Sequence, residues 1–175
     1  MVRILWLSII FLSYFADKEE LMVINEKRIT VEGNTSLGKF ECTYNVETLK
    51  DTLLFTNNIS TDLFHFEIPV NEFSCGNFLL NNDFKKTLKS KEFPIALVRV
   101  TNLKSKKGSY SCDLYLEIAG KKLLFQGFTL DNSDDQLIGN LLLSFETLEL
   151  VAPSKFGGLI QVAETLSLSL SLTYS

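Results

Sequence analysis

The sequence predicts an all-β domain: an eight-stranded antiparallel barrel with one short helix between strands 3 and 4. Three observations lead there. From Leu21 onward the dominant hydrophobic period is two. The runs are separated by turn signals at hairpin-like spacing. One stretch, within 71–98, changes to a helical period. Period-two runs with one apolar face build antiparallel sheet, and a sheet of this size closes on itself or folds into two layers. A filled sandwich fits the same pattern. Strands of about ten residues at 110–119 and 164–174 exceed the usual five or six and favour the barrel.

Taken in order, the first strand is expected at 21–31, ended by the turn signal Glu32-Gly33-Asn34. Phe40, Cys42, Tyr44 and Val46 then alternate with Lys39, Glu41, Thr43 and Asn45. Residues 47–61 read weakly, as a long loop or a short strand at 53–56. Phe64, Phe66, Ile68 and Val70 alternate with His65, Glu67 and Pro69. A proline inside that run restricts it to a sheet edge or a bulge. Next, Leu80, Phe84 and Leu88 recur at i, i+4, i+8, giving a helix of roughly ten residues one apolar face. Lys85, Lys86 and Lys89 lie off that face, and Lys89 and Lys91 sit where a helix C-terminus favours positive charge. Pro94 stops the helix and opens the strand at 95–103. Tyr110, Cys112, Leu114, Leu116 and Ile118 share a face, and the turn Ala119-Gly120-Lys121-Lys122 joins that strand to 123–130 as a hairpin. After the polar turn 131–135, Leu141, Leu143 and Phe145 carry one phase but Leu148 and Leu150 the other, which predicts a β-bulge near Thr147. Residues 153–158 are a loop. The last strand has the cleanest alternation, Leu166 to Tyr174 against serines and threonine.

With 175 residues, 46% of them hydrophobic, there is material for one ordinary core. A net charge of −4 argues against a nucleic-acid partner, which wants a basic face. The N-terminus differs from the rest. Arg3 precedes an almost wholly apolar run, 4–15, and Ala16 is followed by the charged Asp17-Lys18-Glu19-Glu20. That run has the length of a signal-peptide core and is too short to span a bilayer. Tyr14 departs from the small residue expected two positions before Ala16. Residues 1–16 are thus read as a signal peptide and 17–175 as the mature domain, exported to the periplasm or secreted, with no transmembrane segment.

Cys42, Cys75 and Cys112 fit an exported protein with one disulfide and one spare thiol, and they lack the close spacing of a zinc site. Three pairings are open. Cys42 and Cys112 share phase with apolar neighbours and should face inward. Cys75, at a strand end, could reach Cys42 across an adjacent strand, so Cys42 and Cys75 are the candidate pair. No metal site is expected. The one histidine, His65, sits opposite the phenylalanines of its strand with no nucleophile-elbow pattern anywhere in the chain. Gly157-Gly158 lacks the lysine and helix of a phosphate loop. No enzyme is predicted. What is abundant is phenylalanine, 14 residues, which either packs a core or lines an apolar cavity of the kind found in barrel mouths.

The order of motifs resembles the YceI-like family, exported lipocalin-like domains associated with polyisoprenoid binding. The resemblance runs from Phe64 to Tyr174 and more weakly over 31–42. It is carried by Phe66-Glu67-Ile68-Pro69-Val70-Asn71-Glu72-Phe73, then Cys75-Gly76-Asn77, and then the helix with Asn82-Asp83-Phe84 and Leu88. Phe93-Pro94-Ile95, the hairpin Leu116-Glu117-Ile118-Ala119-Gly120, and Gly157-Gly158-Leu159-Ile160 before the last strand complete it. Two features depart from the family. Its opening strand carries a tryptophan where this chain has Leu21-Met22-Val23-Ile24-Asn25, and Lys121-Lys122-Leu123-Leu124 replaces a threonine-rich strand start. The resemblance implies an extended barrel around a long apolar channel, with the helix against one end. It also implies non-catalytic binding or carriage of a polyisoprenoid or other lipid in the bacterial envelope. The alternative is an envelope structural or protein-binding β domain with a filled core.

The expected apolar lining is Phe40, Tyr44, Phe64, Phe66, Ile68, Leu80, Phe84, Tyr110, Leu114, Leu116, Leu143, Phe145, Leu168 and Leu170. No cofactor is expected beyond a bound isoprenoid or fatty-acid-like lipid. The oligomeric state stays open, a homodimer included. Leu80, Phe84 and Leu88 should face the barrel near one end of its interior, as a plug or wall rather than a moving lid.

Overall fold

In a computed structural model, which describes residues 20–49, 51–55 and 64–175, ten strands and one α-helix follow in chain order. They are β1 (Glu20–Thr35), β2 (Gly38–Val46), β3 (Asp51–Phe55), β4 (Phe64–Pro69), α1 (Phe78–Thr87), β5 (Ile95–Lys106), β6 (Ser109–Ile118), β7 (Lys121–Ser133), β8 (Gln136–Ser144), β9 (Ser154–Lys155) and β10 (Ile160–Tyr174). Eight of them form one curled antiparallel sheet, in the order β2-β1-β10-β8-β7-β6-β5-β4, and β3 and β9 pair off that path with β1 and β10. Counting only those eight, α1 lies between the third and fourth, as the pattern predicts. β4 is an edge strand, which Pro69 can join without losing a ladder bond. The signal-peptide reading falls on residues outside those described.

The sheet is a half-barrel whose two edges, β2 and β4, do not pair directly. They are joined just beyond the end of β4. Thr43 and Ser74 exchange two backbone hydrogen bonds of 2.9 Å, and Cys42 is disulfide-bonded to Cys75. A second discontinuity lies between β7 and β8. Their ladder covers only Asp131–Ile138, Asn132–Leu137 and Ser133–Gln136, beside the connecting turn, and then stops. Beyond it the Phe128 ring lies against Gly139, side chain standing where backbone pairing would otherwise continue.

Sequence and structure differ at three places. The first turn is at Ser36-Leu37, because Glu32-Gly33-Asn34 continue the ladder between β1 and β2. Gly33 is a close-approach residue rather than a turn residue: a Cβ there would lie 2.4 Å from the Phe40 ring. No bulge forms at Thr147. β8 ends at Ser144, whose Oγ accepts from Thr147 N at 2.9 Å, and a helical turn follows. That turn closes with Leu150 N donating to Phe145 O and Glu149 N to Glu146 O, with Glu149 at φ 49°. This is the Schellman arrangement, and it buries Leu148 and Leu150 by reversing the chain rather than by slipping a strand. Finally, the last strand begins at Ile160, and the loop expected at 153–158 holds the short strand β9, paired with β10. Of the two readings of 47–61, the short strand is present as β3.

Bulges do occur elsewhere: the β1–β10 register shifts between Ile24 and Glu26 and between Gly33 and Thr35, and two more lie on either side of Asp113. The β5–β6 register shifts between Thr101 and Lys104, and the β6–β7 register between Cys112 and Leu114. Asp113 Oδ2 accepts from Asn102 Nδ2 at 2.6 Å and its Oδ1 from Gly127 N at 3.1 Å, so one carboxylate holds both irregular backbones. Asn102 (φ 53°) and Gly127 (φ 67°) are both left-handed, a conformation that these two residue types adopt most readily. Those hydrogen bonds, the Asn102 amide first, hold the Asp113 carboxyl below its usual range.

The core fills unevenly. In the half of the barrel away from α1, Ile24, Leu137, Leu172 and Cys112 are among the largest fully buried side chains, and Val70, Leu148 and Cys42 are as completely buried at the α1 end. The half under α1 holds two cavities.

Candidate functional site

The site begins with the ends of α1. Asn77 caps the helix, its Oδ1 accepting from Leu80 N at 3.0 Å. Asn81, one turn in, turns its Oδ1 back to Cys75 N at 2.6 Å, tying the helix to the disulfide. At the other end Ser90 N donates to Lys85 O and Lys89 N to Lys86 O, with Lys89 at φ 52°. Well-made caps hold the helix in place, yet none of its ten residues is buried. Leu88, just beyond it, is.

Beneath α1 lie two apolar cavities. The outer, about 100 Å³, is bounded by Leu80, Phe84 and Leu88 from the helix side, Phe40 and Cys42 from β2, Phe145 and Pro153 from the segment leading into β10, and Ile160, Val162 and Leu166 from β10 itself. The inner, about 50 Å³, is bounded by Ile29, Val31, Ile68, Val98, Leu114, Leu116, Phe128, Leu141, Leu168 and Leu170, with Phe84 and Leu88 again on its wall. Phe84 and Leu88 therefore divide one apolar space into two. Phe84 is held from the side by Phe73, centroids 5.0 Å apart, and Phe73 in turn packs on Tyr44 at 5.8 Å. Among the described residues that bound it, Thr35, Asp83 and Thr87 are those with polar side chains at the outer cavity. A space so lined favours hydrocarbon over water.

Of the residues expected to line an apolar site, Phe40, Leu80, Phe84 and Phe145 meet at the outer cavity. Ile68, Leu114, Leu116, Leu168 and Leu170 meet at the inner one. Tyr44, Phe66, Tyr110 and Leu143 are buried core residues that border neither of these cavities. The side chain of Phe64 lies outside the described residues. Ile29 and Val31 carry the same period-two signal as the residues chosen, and inspection of β1 for phase would have found them. Pro153 carries no such signal, since it lies in the connection between β8 and β10, whereas Ile160 and Val162 open β10 with the same period of two.

Lys27 is the other residue that pattern reading missed. It is 4% exposed, with Nζ 4.5 Å from the Phe66 ring centroid and 5.6 Å from that of Tyr44, a cation over two aromatic faces inside the barrel. His65 is exposed on the outside of β4, opposite Arg99. The residues around it in a shallow outer depression, Leu97, Arg99, Tyr115, Glu117 and Lys122 among them, include no serine or cysteine. Cys112 is a buried free thiol, pushed up to about 11 by burial and, secondarily, by the Asp113 carboxylate. Such a thiol is a packing residue, not a nucleophile. Among the described residues no group of His, Cys, Asp and Glu is placed to hold a metal ion, and no helix is long and apolar enough to cross a membrane.

No family model matches the sequence, and no curated protein matches it. Solved structures do share its fold, among them these two. BcnA from Burkholderia cenocepacia superimposes with a TM-score of 0.55 at 11% identity, covering 85% of this chain and 96% of that one. A polyisoprenoid binding domain from Saccharophagus degradans implicated in plant cell wall breakdown gives 0.57 at 11% identity, covering 88% and 97%. At that identity the likeness is one of fold, and both structures are matched over nearly their whole length. The chain has the YceI-like fold, the architecture that its motif order resembles.

Proposed function

We propose that this chain binds a long apolar ligand, an isoprenoid or other lipid, without catalysis, in the space beneath α1. The observation that carries the reading is the divided cavity: two apolar spaces separated by Phe84 and Leu88, at a helix that buries none of its own ten residues. The polyisoprenoid binding of one structural neighbour supports the same class of ligand.

The cavities are small. Together they fall below the roughly 300–1,000 Å³ of ordinary ligand pockets, so a long ligand must displace something. α1 is the cheapest element to move, because few buried apolar contacts hold it and local opening follows such contacts. Swinging Phe84 and Leu88 aside would merge the two spaces, which makes the helix a removable plug. The Cys42–Cys75 disulfide supports export to an oxidising compartment, periplasmic or extracellular.

The test is binding of a long-chain polyprenol and of a fatty acid to delipidated protein, with mass spectrometry of lipid released from protein purified without detergent. Saturable binding that weakens at least tenfold in Leu168→Phe, which fills the inner cavity, is expected. Absence of both saturable binding and co-purified lipid would sink the reading. One observation favours the rival, a filled envelope domain with a protein partner: the far half of the barrel is packed shut. That rival predicts that filling the inner cavity changes no binding at all.

A further inference from the structure

Six large apolar side chains among the described residues are more than 70% exposed: Leu37, Phe78, Leu79, Leu142, Val151 and Leu159. All but Leu142 stand within two residues of a residue bounding the outer cavity: Leu37 beside Thr35, Phe78 and Leu79 beside Leu80, Val151 beside Pro153, Leu159 beside Ile160. The turns that carry Leu37 and Leu159 are fastened together, Ser36 Oγ donating to Leu159 O at 2.9 Å and Ser36 N to Gln161 O at 3.1 Å. Five exposed apolar side chains, from three separate segments, thus ring the mouth of an apolar cavity at one end of the barrel.

Charge selects the occupant. Phe78 and Leu79 precede Lys85 and Lys86 by seven residues, close to two full turns, so each apolar residue shares a helix face with a lysine about 10 Å further along the axis. Residues 78–92 carry Lys85, Lys86, Lys89 and Lys91 against Asp83 and Glu92, with Glu149 near Lys89, which leaves a local excess of positive charge in a chain whose net charge is −4. Apolar tips in front with cations behind match the layering of an anionic bilayer, where hydrocarbon lies below a belt of negative headgroups. A bilayer also accepts apolar side chains scattered over separate turns, whereas a protein partner wants a continuous, complementary patch.

We infer that the helix-capped end of the barrel docks onto the surface of an anionic phospholipid bilayer, with the cavity mouth facing the hydrocarbon. This goes beyond the ligand reading, and either can fail without the other.

The experiment uses the full chain and vesicles of equal parts phosphatidylglycerol and phosphatidylcholine. An environment-sensitive dye is attached through Val151→Cys in one variant and Lys107→Cys, at the opposite end, in another. Vesicles should blue-shift the first dye and leave the second unmoved. Flotation of the Phe78→Ser, Leu79→Ser double variant should be about tenfold weaker, since two inserted apolar side chains are lost. Lys85→Glu with Lys86→Glu should weaken binding on anionic vesicles and have little effect on pure phosphatidylcholine. Phe78, Leu79, Lys86, Lys107 and Val151 are exposed and Lys85 is half-buried, so the variants should fold normally, which circular dichroism checks.

Equal shifts of both dyes, or of neither, would overturn the inference, as would full flotation of the Phe78, Leu79 variant. A Val151 dye shift that follows protein concentration and ignores vesicles would make the face a contact between copies, and overturns it too. Loss of vesicle docking with polyprenol binding intact would fail this inference alone; the reverse would fail the ligand reading alone.

Discussion

The two ends of this half-barrel are built from the same alternating strands and do opposite things with them. Away from α1, β7 and β8 are zipped beside their turn, and Ile24, Leu137 and Leu172 are completely or almost completely buried. Under α1 the β7–β8 ladder has stopped, the β2 and β4 edges are joined by one bridge and a disulfide, and unfilled apolar volume remains. Stability is therefore concentrated at one end and adaptability at the other. A protein that must hold its shape while admitting a guest needs that division, because closely packed cores resist both insertion and loss of volume.

The strongest challenge to this contrast is a pair of truncations. Leu172→Ala should cost about 2–5 kcal/mol, because a filled region cannot collapse around the missing atoms. Leu80→Ala, at a half-buried residue already facing empty space, should cost about 1 kcal/mol. Equal costs in urea denaturation would erase the distinction between the ends.

Removing the seam is next in size. Cys42→Ser with Cys75→Ser, or reduction of the native protein, should lower stability by about 2–4 kcal/mol. Hydrogen exchange should then rise first in α1 and β2, leaving β6 and β10 protected. Uniform loss of protection would mean that the seam holds the whole barrel and not one end of it.

The smallest effects are electrostatic. Burial raises the Cys112 thiol from 9.0 to about 11. An acid with a raised native pKa favours folding in its protonated form, so its contribution is complete below pH 9 and fades as pH rises through about 11. Cys112→Ala should flatten that alkaline limb. For Asp113 the sign reverses. Its native pKa is lowered, so its contribution is present above the unfolded carboxylate range and is lost as pH falls through the lower native value. Asp113→Asn should flatten the acid limb, measured by thermal melts across pH. A slope unchanged by either substitution would remove the corresponding assignment.

Much of this molecule was legible in its sequence, for reasons that also mark where legibility stopped. A strand's period of two is a property of local backbone, and so the faces of β2, β6 and β10 could be read directly. The helix was equally plain from Leu80, Phe84 and Leu88. The turn after Ser144 was misread because a phase change at Leu148 looks the same whether a strand bulges or a helical turn intervenes. Gly33 suggested a turn because its actual reason, the Phe40 ring across the ladder, is a tertiary contact. For the candidate site, strand phase picked out Leu114, Leu116, Leu168 and Leu170, yet it gave the same weight to Tyr110 and Leu143, which border neither cavity. Phase says that a residue faces inward. Only packing says whether anything remains to be filled there.

The position of β1 has a kinetic consequence. It lies between β2, its hairpin neighbour, and β10, the last strand, with Ile29 opposite both Tyr44 and Leu170. One side of β1 can zip locally, but the other must wait until nearly the whole chain is present. Pairing across such a separation carries a loop-closure cost before any contact rewards it, which places this fold among the slower, non-local topologies. Until β10 arrives, β1 presents an unpaired apolar edge, the feature most prone to join a second chain. For this protein, then, the hazardous interval is the one between making the first strand and making the last.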